Sequence, residues 1–550
     1  MQKETFIKQY AAGLNPQQLA AVQAVHGPVL LLAVPGSGKT TVLVTRLGYM
    51  VLCCDVPPAQ ILTMTYTVAA THEMRGRFAA RFGAELAGQM TFRTINGLSA
   101  VILQYYSRVY GRRQPELLTN EGDITRMLTD IWQQVNREFP TESTLKELRT
   151  AITYIKNMAL ADEEIEGLET DLANLPELYR RYQAALKRAG QMDYDDQMVF
   201  ALQILRAAPP VLAYFQQRYK YFCVDESQDT SKIQHEIIRL LAGRSLNLFM
   251  VGDEDQSIYG FRAAYPQALM DFEQVYPGAQ VLRMEENYRS SEEIVAAANA
   301  FVARSRYRRP KTLRATQGAQ CPIDIRRITR REEQIDWLFE EARRGGGETA
   351  VLFRNNESAL PLVDLCERRG VPYRFKKADL TFFTHKIVLD AVDFLRFAYE
   401  PANGERFLRL YYKFGLALSR QRALAACGAS ARTGRPILEE LIRDPETKTR
   451  MRESLGDIYA AFKRIPQLNA ADALDAVRHG CGYGAYLNQK GMDTGKLAIL
   501  EMLAEQEPNA LRLLDRLEEL RMLIAAKADV NSDVPFVLST IHSSKGLEYD

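Results

Sequence analysis

The chain has 550 residues, of which 47% are apolar and 25% charged, and a formal net charge of +2 at pH 7. That length exceeds what one hydrophobic core organises, so several domains are expected, and the composition excludes a disordered chain. No apolar run is long enough to cross a bilayer, which predicts no membrane partner, and near-neutral charge requires that any polyanion be held by local basic patches.

Taken in chain order, Leu14-Asn15-Pro16-Gln17-Gln18 comes first. An amide both donates and accepts, so Gln18 is a candidate reader of an adenine edge. Leu30-Leu31-Leu32 then reads as a buried strand, followed by Pro35-Gly36-Ser37-Gly38-Lys39-Thr40-Thr41 opening an apolar-periodic helix. A strand, a Gly-rich turn and a helix N-terminus form a phosphate cradle. Gly36 and Gly38 let backbone N–H groups approach phosphate oxygens, Lys39 supplies a point charge for the β- and γ-phosphates, and Thr40 offers a hydroxyl to Mg²⁺. The strict pattern has Gly where this chain has Ala33.

Ile61-Leu62-Thr63-Met64-Thr65-Tyr66 is a second strand, which in a parallel sheet puts Thr65 and Tyr66 at the carboxyl edge. An aromatic there either stacks a base or belongs to the core. Thr94-Ile95-Asn96 opens a further apolar segment, and from 105 to 190 the pattern is helical. Asp193, Asp195 and Asp196 read as helix caps or a solvated face rather than a metal site. Tyr221-Phe222-Cys223-Val224 delivers Asp225 and Glu226 at a strand end, suited to holding Mg²⁺ and to orienting or deprotonating an attacking water, respectively; Cys223 reads as a small core residue. A third strand ends in Gly252-Asp253-Glu254-Asp255-Gln256, where Gln256 can sense a γ-phosphate. Tyr259, Phe261 and Arg262 interleave as in surfaces that stack bases and hold backbone phosphate. Tyr288 and Arg289 follow another strand directly. Seven cysteines without a C-x-x-C pair, and an N-terminus without an apolar leader, predict a cytoplasmic location.

This ordered series resembles the superfamily 1 DNA helicases of the UvrD/Rep/PcrA type, from Leu14 to Asp550. The resemblance implies an α/β fold of two RecA-like parallel-sheet domains, each with a mostly helical insertion. The first domain would comprise 1–104 and 191–283 with insertion 105–190; the second would comprise 284–384 and 531–550 with insertion 385–530. It implies an ATP- and Mg²⁺-dependent 3′–5′ translocase and helicase acting on single-stranded and duplex-junction DNA in repair, recombination or replication restart. Repair or replication proteins would be its partners, and it would be a monomer or weak dimer. ATP would be bound by Gln18, residues Pro35 to Thr41, Tyr288 stacking on adenine, Arg289 at the γ-phosphate and Glu548 as a ribose or coupling contact. Lys39, Asp225, Glu226, Gln256 and Arg289 would be catalytic, with Thr40 and Asp225 holding the metal. DNA would meet Thr65, Tyr66, Thr94, Asn96, Tyr259, Phe261, Arg262, Arg354, Asn356, His542 and Lys545.

Thr41 stands where the family has an Arg, Asn96 where it often has a His, Val68-Ala69 for Asn-Lys, and Phe261 for a Trp. The family's last motif, with an Arg on the γ-phosphate, would lie beyond Asp550. Such an arginine contributes about 10³ to 10⁵ in rate, so a 550-residue form is expected to hydrolyse ATP slowly, and a longer native protein is expected. Two other readings are the motor of a recombination helicase-nuclease and a nucleotide-gated single-strand-binding module that does not unwind.

Overall fold

The computed structural model describes residues 1–243, 246–344, 348–375, 379–527, 534 and 536–549; the expected boundary at 530/531 lies outside them. Contacts divide the chain into two units, Met1–Phe139 with Leu145–Arg326, and Pro140–Thr144 with Arg327–Asp550.

In the first unit the strands are β1 (Val29–Ala33), β2 (Ile61–Thr65), β3 (Thr91–Thr94), a short pair β4 (Glu116–Leu117) and β5 (Gln191–Met192), β6 (Tyr221–Val224), β7 (Leu248–Gly252) and β8 (Gln280–Met284). Six of them form a parallel sheet in the order β3-β2-β6-β7-β1-β8. Helices cover both faces, which is why β1 and β7 are buried along their whole length. The two-residue period survives that burial. Leu30, Leu32, Phe222, Val224, Leu248 and Met250 pack into one core, while Val29, Leu31, Cys223, Phe249 and Val251 pack into the other. Cys223 is thus a core residue, as expected.

The helices Glu121–Asn136, Glu142–Asn157 and Leu175–Ala189 bury Leu128, Trp132, Leu148, Ile152, Leu178 and Tyr182 in a core of their own. Parallel pairing of β4 with β5 ties the two ends of this helical region together. Asp193 caps the helix Tyr194–Ala207 in a reciprocal box with Asp196, the capping alternative, while Asp195 accepts from Thr153 and Asn157. The Asp193 and Asp196 carboxylates also pair with the buried Lys156 ammonium, at 2.6 and 2.7 Å. After β8 come β9 (Glu286–Asn287), the helix Glu292–Val302 and β10 (Arg314–Ala315), which pairs with β9.

The second unit holds β11 (Thr349–Phe353), β12 (Arg374–Phe375) and β13 (Phe536–Thr540), parallel in the order β11-β13-β12. Its helices include Lys386–Tyr399, Thr449–Arg464 and Ala510–Ala526, around an aromatic-rich core of Phe394, Phe397, Phe407, Phe414 and Phe462. Both units are parallel-sheet α/β structures, the class expected.

One core histidine makes folding pH-dependent. His235, in the helix Lys232–Ala242, is 9% exposed, and its Nε2 has no hydrogen-bond partner among the described residues. Burial lowers its pKa to about 4. Because the folded value lies below the unfolded one, the native state loses stability as pH falls from about 6.5 to 4, by about 3 kcal/mol. Denaturant titrations at pH 7, 5 and 4 should show His235→Leu flattening this part of the slope; an unchanged slope would remove the assignment.

Candidate functional site

The loop expected to cradle phosphate rises directly from β1. Gly36 and Gly38 have φ of 67° and 80°, the left-handed region in which a Cβ is costly. A Cβ on Gly36 would also lie 2.9 Å from Cβ of Arg289 and 3.0 Å from Nδ2 of Asn287. Ala33 is the last residue of β1, buried and paired with Met284, so it needs no glycine conformation. The helix Lys39–Cys53 then starts behind Gly38, which has no side chain to cap the first-turn N–H groups.

Two other segments are fastened to this loop. Asn287 Nδ2 donates to Pro35 O (2.8 Å) and the Tyr288 amide to Gly36 O (3.0 Å), bringing Tyr288 and Arg289 beside the cradle. Gln18 Nε2 donates to Ser37 O (2.9 Å), while its Oε1 accepts from the Asn15 amide (2.9 Å) in a capping box. Gln18 is therefore buried and braces the loop with both ends of its amide. The polar groups on the outer side are Asn15, whose Nδ2 donates to Glu286 Oε2 and to the Tyr288 hydroxyl, both at 2.8 Å, and Glu286, which accepts from that hydroxyl at 2.6 Å. Sequence reasoning missed Asn15, Glu286 and Asn287 as site residues. The Asn-Pro-Gln-Gln capping pattern could have found Asn15; Asn287 gives no local signal.

Opposite the loop, β6 ends in Asp225 and Glu226. Glu226 has φ 49°, a strained position for a side-chain-bearing residue. Its Oε2 accepts from Lys39 Nζ at 3.3 Å and from Gln228 Nε2 at 2.6 Å, and Lys39 also reaches Gln256 Oε1 at 3.5 Å. Lys39, Glu226 and Gln256, expected to act together, do converge. Burial and the neighbouring Glu226 raise the Asp225 carboxyl to about 6 against the pull of Lys39.

The carboxyl edge of β2, β3 and β6 borders a cavity of about 480 Å³ lined by Thr65, Tyr66, Thr94, Asn96, Tyr194 and Asp225, among others. Tyr66 and Tyr259 lie parallel, 6.2 Å apart at 7°, and the Arg262 guanidinium sits over the rings of Tyr259 (5.5 Å) and Phe261 (5.4 Å). Phe261 is 48% exposed. Two of the expected contact residues have local work: Thr65 is buried with its hydroxyl donating to Thr67 O (3.0 Å), and Thr94 caps the helix Ile95–Tyr110. Asn96 Nδ2 donates to Tyr194 O at 2.9 Å.

A family model described as the UvrD/REP helicase N-terminal domain matches residues 14–277, and one described as the UvrD-like helicase C-terminal domain matches 282–425. The chain belongs to the UvrD-like helicase family. Among its relatives are ATP-dependent DNA helicase PcrA of Leuconostoc citreum, 29% identical over 98% of this chain and 75% of that protein, and ATP-dependent DNA helicase UvrD1 of Mycobacterium tuberculosis, 29% identical over 98% and 76%. UvrD1 of Mycobacterium leprae is 31% identical over 72% of this chain and 54% of its own length.

The remaining candidates of this UvrD-like chain belong to its second unit. Arg354 Nη1 lies 3.4 Å from His542 Nδ1, so the loop after β11 and the turn after β13 meet. Asn356 Nδ2 donates to Asp379 Oδ2 (3.1 Å), and Lys545 and the exposed Glu548 follow His542. A divalent ion suits the first unit's donors. The Thr40 hydroxyl and the Asp225 carboxylate are hard oxygen ligands, and an Asp225 raised to about 6 by burial and, second, by the neighbouring Glu226 is a group that a cation would stabilise. Thr41 is exposed on the first turn of the helix Lys39–Cys53.

Proposed function

We propose that the chain is an ATP-dependent, 3′–5′ single-stranded DNA translocase and helicase, acting in repair, recombination or replication restart. The observation that carries this reading is the convergence of Lys39 on Glu226 at 3.3 Å and on Gln256 at 3.5 Å beside the Gly36–Gly38 loop. In this reading the first RecA-like domain comprises 1–104 and 191–283 with 105–190 inserted, and the second 284–384 and 531–550 with 385–530 inserted.

The triphosphate would lie on the first-turn amides of the Lys39–Cys53 helix, with Lys39 exchanging its contact with Glu226 for phosphate oxygens. Released from Lys39, Glu226 accepts the proton of the attacking water, and Gln256 reports the γ-phosphate to the loop carrying Tyr259, Phe261 and Arg262. Thr40 and Asp225 would hold Mg²⁺, which would supply charge neutralisation on the phosphates. Tyr288 stacks on adenine and Arg289 approaches the γ-phosphate. Tyr66, Tyr259 and Phe261 offer π-faces to successive bases, an interaction of about 1–3 kcal/mol per base that tolerates any sequence.

Strand displacement by the full-length protein on partial duplexes is the test. Unwinding is expected with ATP on a 3′-tailed substrate and not on a 5′-tailed one; ATP turnover without displacement on either would sink the helicase reading in favour of a DNA-gripping module. Phe261→Ala should keep ATP turnover within about twofold while slowing unwinding about tenfold, through loss of one stacking step. Unchanged unwinding would remove Phe261 from the DNA path.

A further inference from the structure

Next to the γ-phosphate sensor lies a buried charge cluster that phosphate chemistry does not use. The Lys311 ammonium is 2.9 Å from Asp253 Oδ1 and 3.0 Å from Asp255 Oδ2, and it also contacts Glu254. Carboxylate oxygens of these three residues lie within 4.8 Å of one another, an arrangement that would draw a divalent cation if Lys311 did not already occupy it. Arg308 adds a fork to Asp255, donating at 2.9 Å through Nη2 and 3.2 Å through Nε. Burial alone would lower the Lys311 pKa, but Asp253 and Glu254 outweigh it and raise the value, so the ammonium persists.

The cluster leads in one direction to the nucleotide. Asp253 Oδ2, the oxygen not taken by Lys311, accepts from Gln256 Nε2 at 2.7 Å. The Asp253 amide donates to Gln228 Oε1 at 3.1 Å, and Gln228 in turn donates to Glu226. The Asp253 carboxylate thus aims Gln256, while its backbone amide holds Gln228, the donor to Glu226. In the other direction the same stretch of chain reaches the opposite wall of the cradle. The Thr312 amide donates to Glu285 Oε1 (3.1 Å), β10 pairs with β9, and the Thr316 amide and hydroxyl both donate to Asn287 O (3.0 Å). Asn287 holds the Pro35 carbonyl and accepts from the Arg289 amide at 2.9 Å.

We propose that residues 308–317 form a tie that sets the γ-phosphate sensor Gln256 and the Tyr288–Arg289 wall in register with each other, with Lys311 as its positioning residue. The proposal rests on the motor reading above. Lys311 touches no nucleotide; it fixes Asp253. Crowded carboxylates without the ammonium lower stability, and, separately, Asp253 Oδ1 loses the ion pair that fixes its orientation, so that Gln256 loses the acceptor that aims it. Nucleotide binding through the Gly36–Gly38 loop and Lys39 should survive.

The test combines steady-state ATPase on single-stranded DNA with amide hydrogen exchange in the full-length protein. Lys311→Met should lower kcat about tenfold or more while leaving KM for ATP within about twofold, the signature of a lost positioning contact. Exchange should rise together at 252–257 and 286–290. Lys311→Met with Asp255→Asn restores the net charge of the cluster but not the hold on Asp253, so its melting temperature should recover while kcat stays low. If kcat recovers with the melting temperature, or exchange rises in only one of the two segments, the proposal is overturned. Should Lys311→Met fail to fold, Arg308→Gln is read by the same two measurements and the same criteria. A wild-type protein without DNA-stimulated turnover removes the motor reading alone, because the exchange measurement still decides the tie.

Discussion

Lys39→Ala is expected to lower DNA-stimulated ATP turnover by about 10² to 10³ or more, while affinity for single-stranded DNA without nucleotide stays within about threefold. The side chain is 13% exposed and points its ammonium at Glu226 and Gln256. Removing it does more than delete a phosphate contact. Asp225 and Glu226 then face the triphosphate without their cation, and the Asp225 carboxyl, already near 6, loses the influence that opposes burial. Anion next to anion in a partly desolvated site is strongly unfavourable. The aromatic surface of Tyr66, Tyr259 and Arg262 makes its ring contacts independently of Lys39, which is why DNA binding should persist. Phosphate release and fluorescence anisotropy with a labelled oligonucleotide measure the two quantities. Turnover within tenfold of wild type would show that the Gly36–Gly38 loop is not a phosphate cradle.

The parts of this site that could be read in the sequence are those whose signal is local. Leu30-Leu31-Leu32 followed by Gly36, Gly38 and Lys39 is legible because one strand, one turn and one helix start produce it, and β6 and β7 announce their acidic ends in the same way. Ala33, a departure from the expected pattern, turns out to be a strand residue rather than part of the turn. What could not be read are the attachments between distant segments. Lys311 looks like an ordinary surface lysine until Asp253, Glu254 and Asp255 surround it, and Asn287 looks like any strand-end asparagine until Pro35 is found beneath it. Pairing of β9 with β10 involves two residues from each strand and leaves no periodicity to detect. Gln18 shows the converse. The sequence offers Gln18 as an adenine reader, but not that Asn15 and Ser37 engage both ends of its amide, since this depends on how the helix Pro16–Gln23 docks.

If Glu226 is the base proposed above, Glu226→Gln is expected to separate proton transfer from the other roles of the site. Gln keeps the size of the side chain and can still meet Gln228 or Lys39, but it cannot take a proton from water. Loss of a positioned base costs about 10² to 10⁴ in kcat. Glu226 is suited to that role because its left-handed backbone conformation turns it out of the strand direction at the end of β6, and because Lys39 and Gln228 fix one carboxylate oxygen. KM for ATP should change little, since neither the Gly36–Gly38 loop nor Lys39 is altered. The variant should also stall with ATP bound, so that ATP alone alters its affinity for single-stranded DNA to the extent a non-hydrolysable analogue does in wild type. Single-turnover hydrolysis gives the first quantity and anisotropy with each nucleotide the second. If Glu226→Gln turns over within tenfold of wild type, the base lies elsewhere, and Asp225 would have to serve as both metal ligand and proton acceptor.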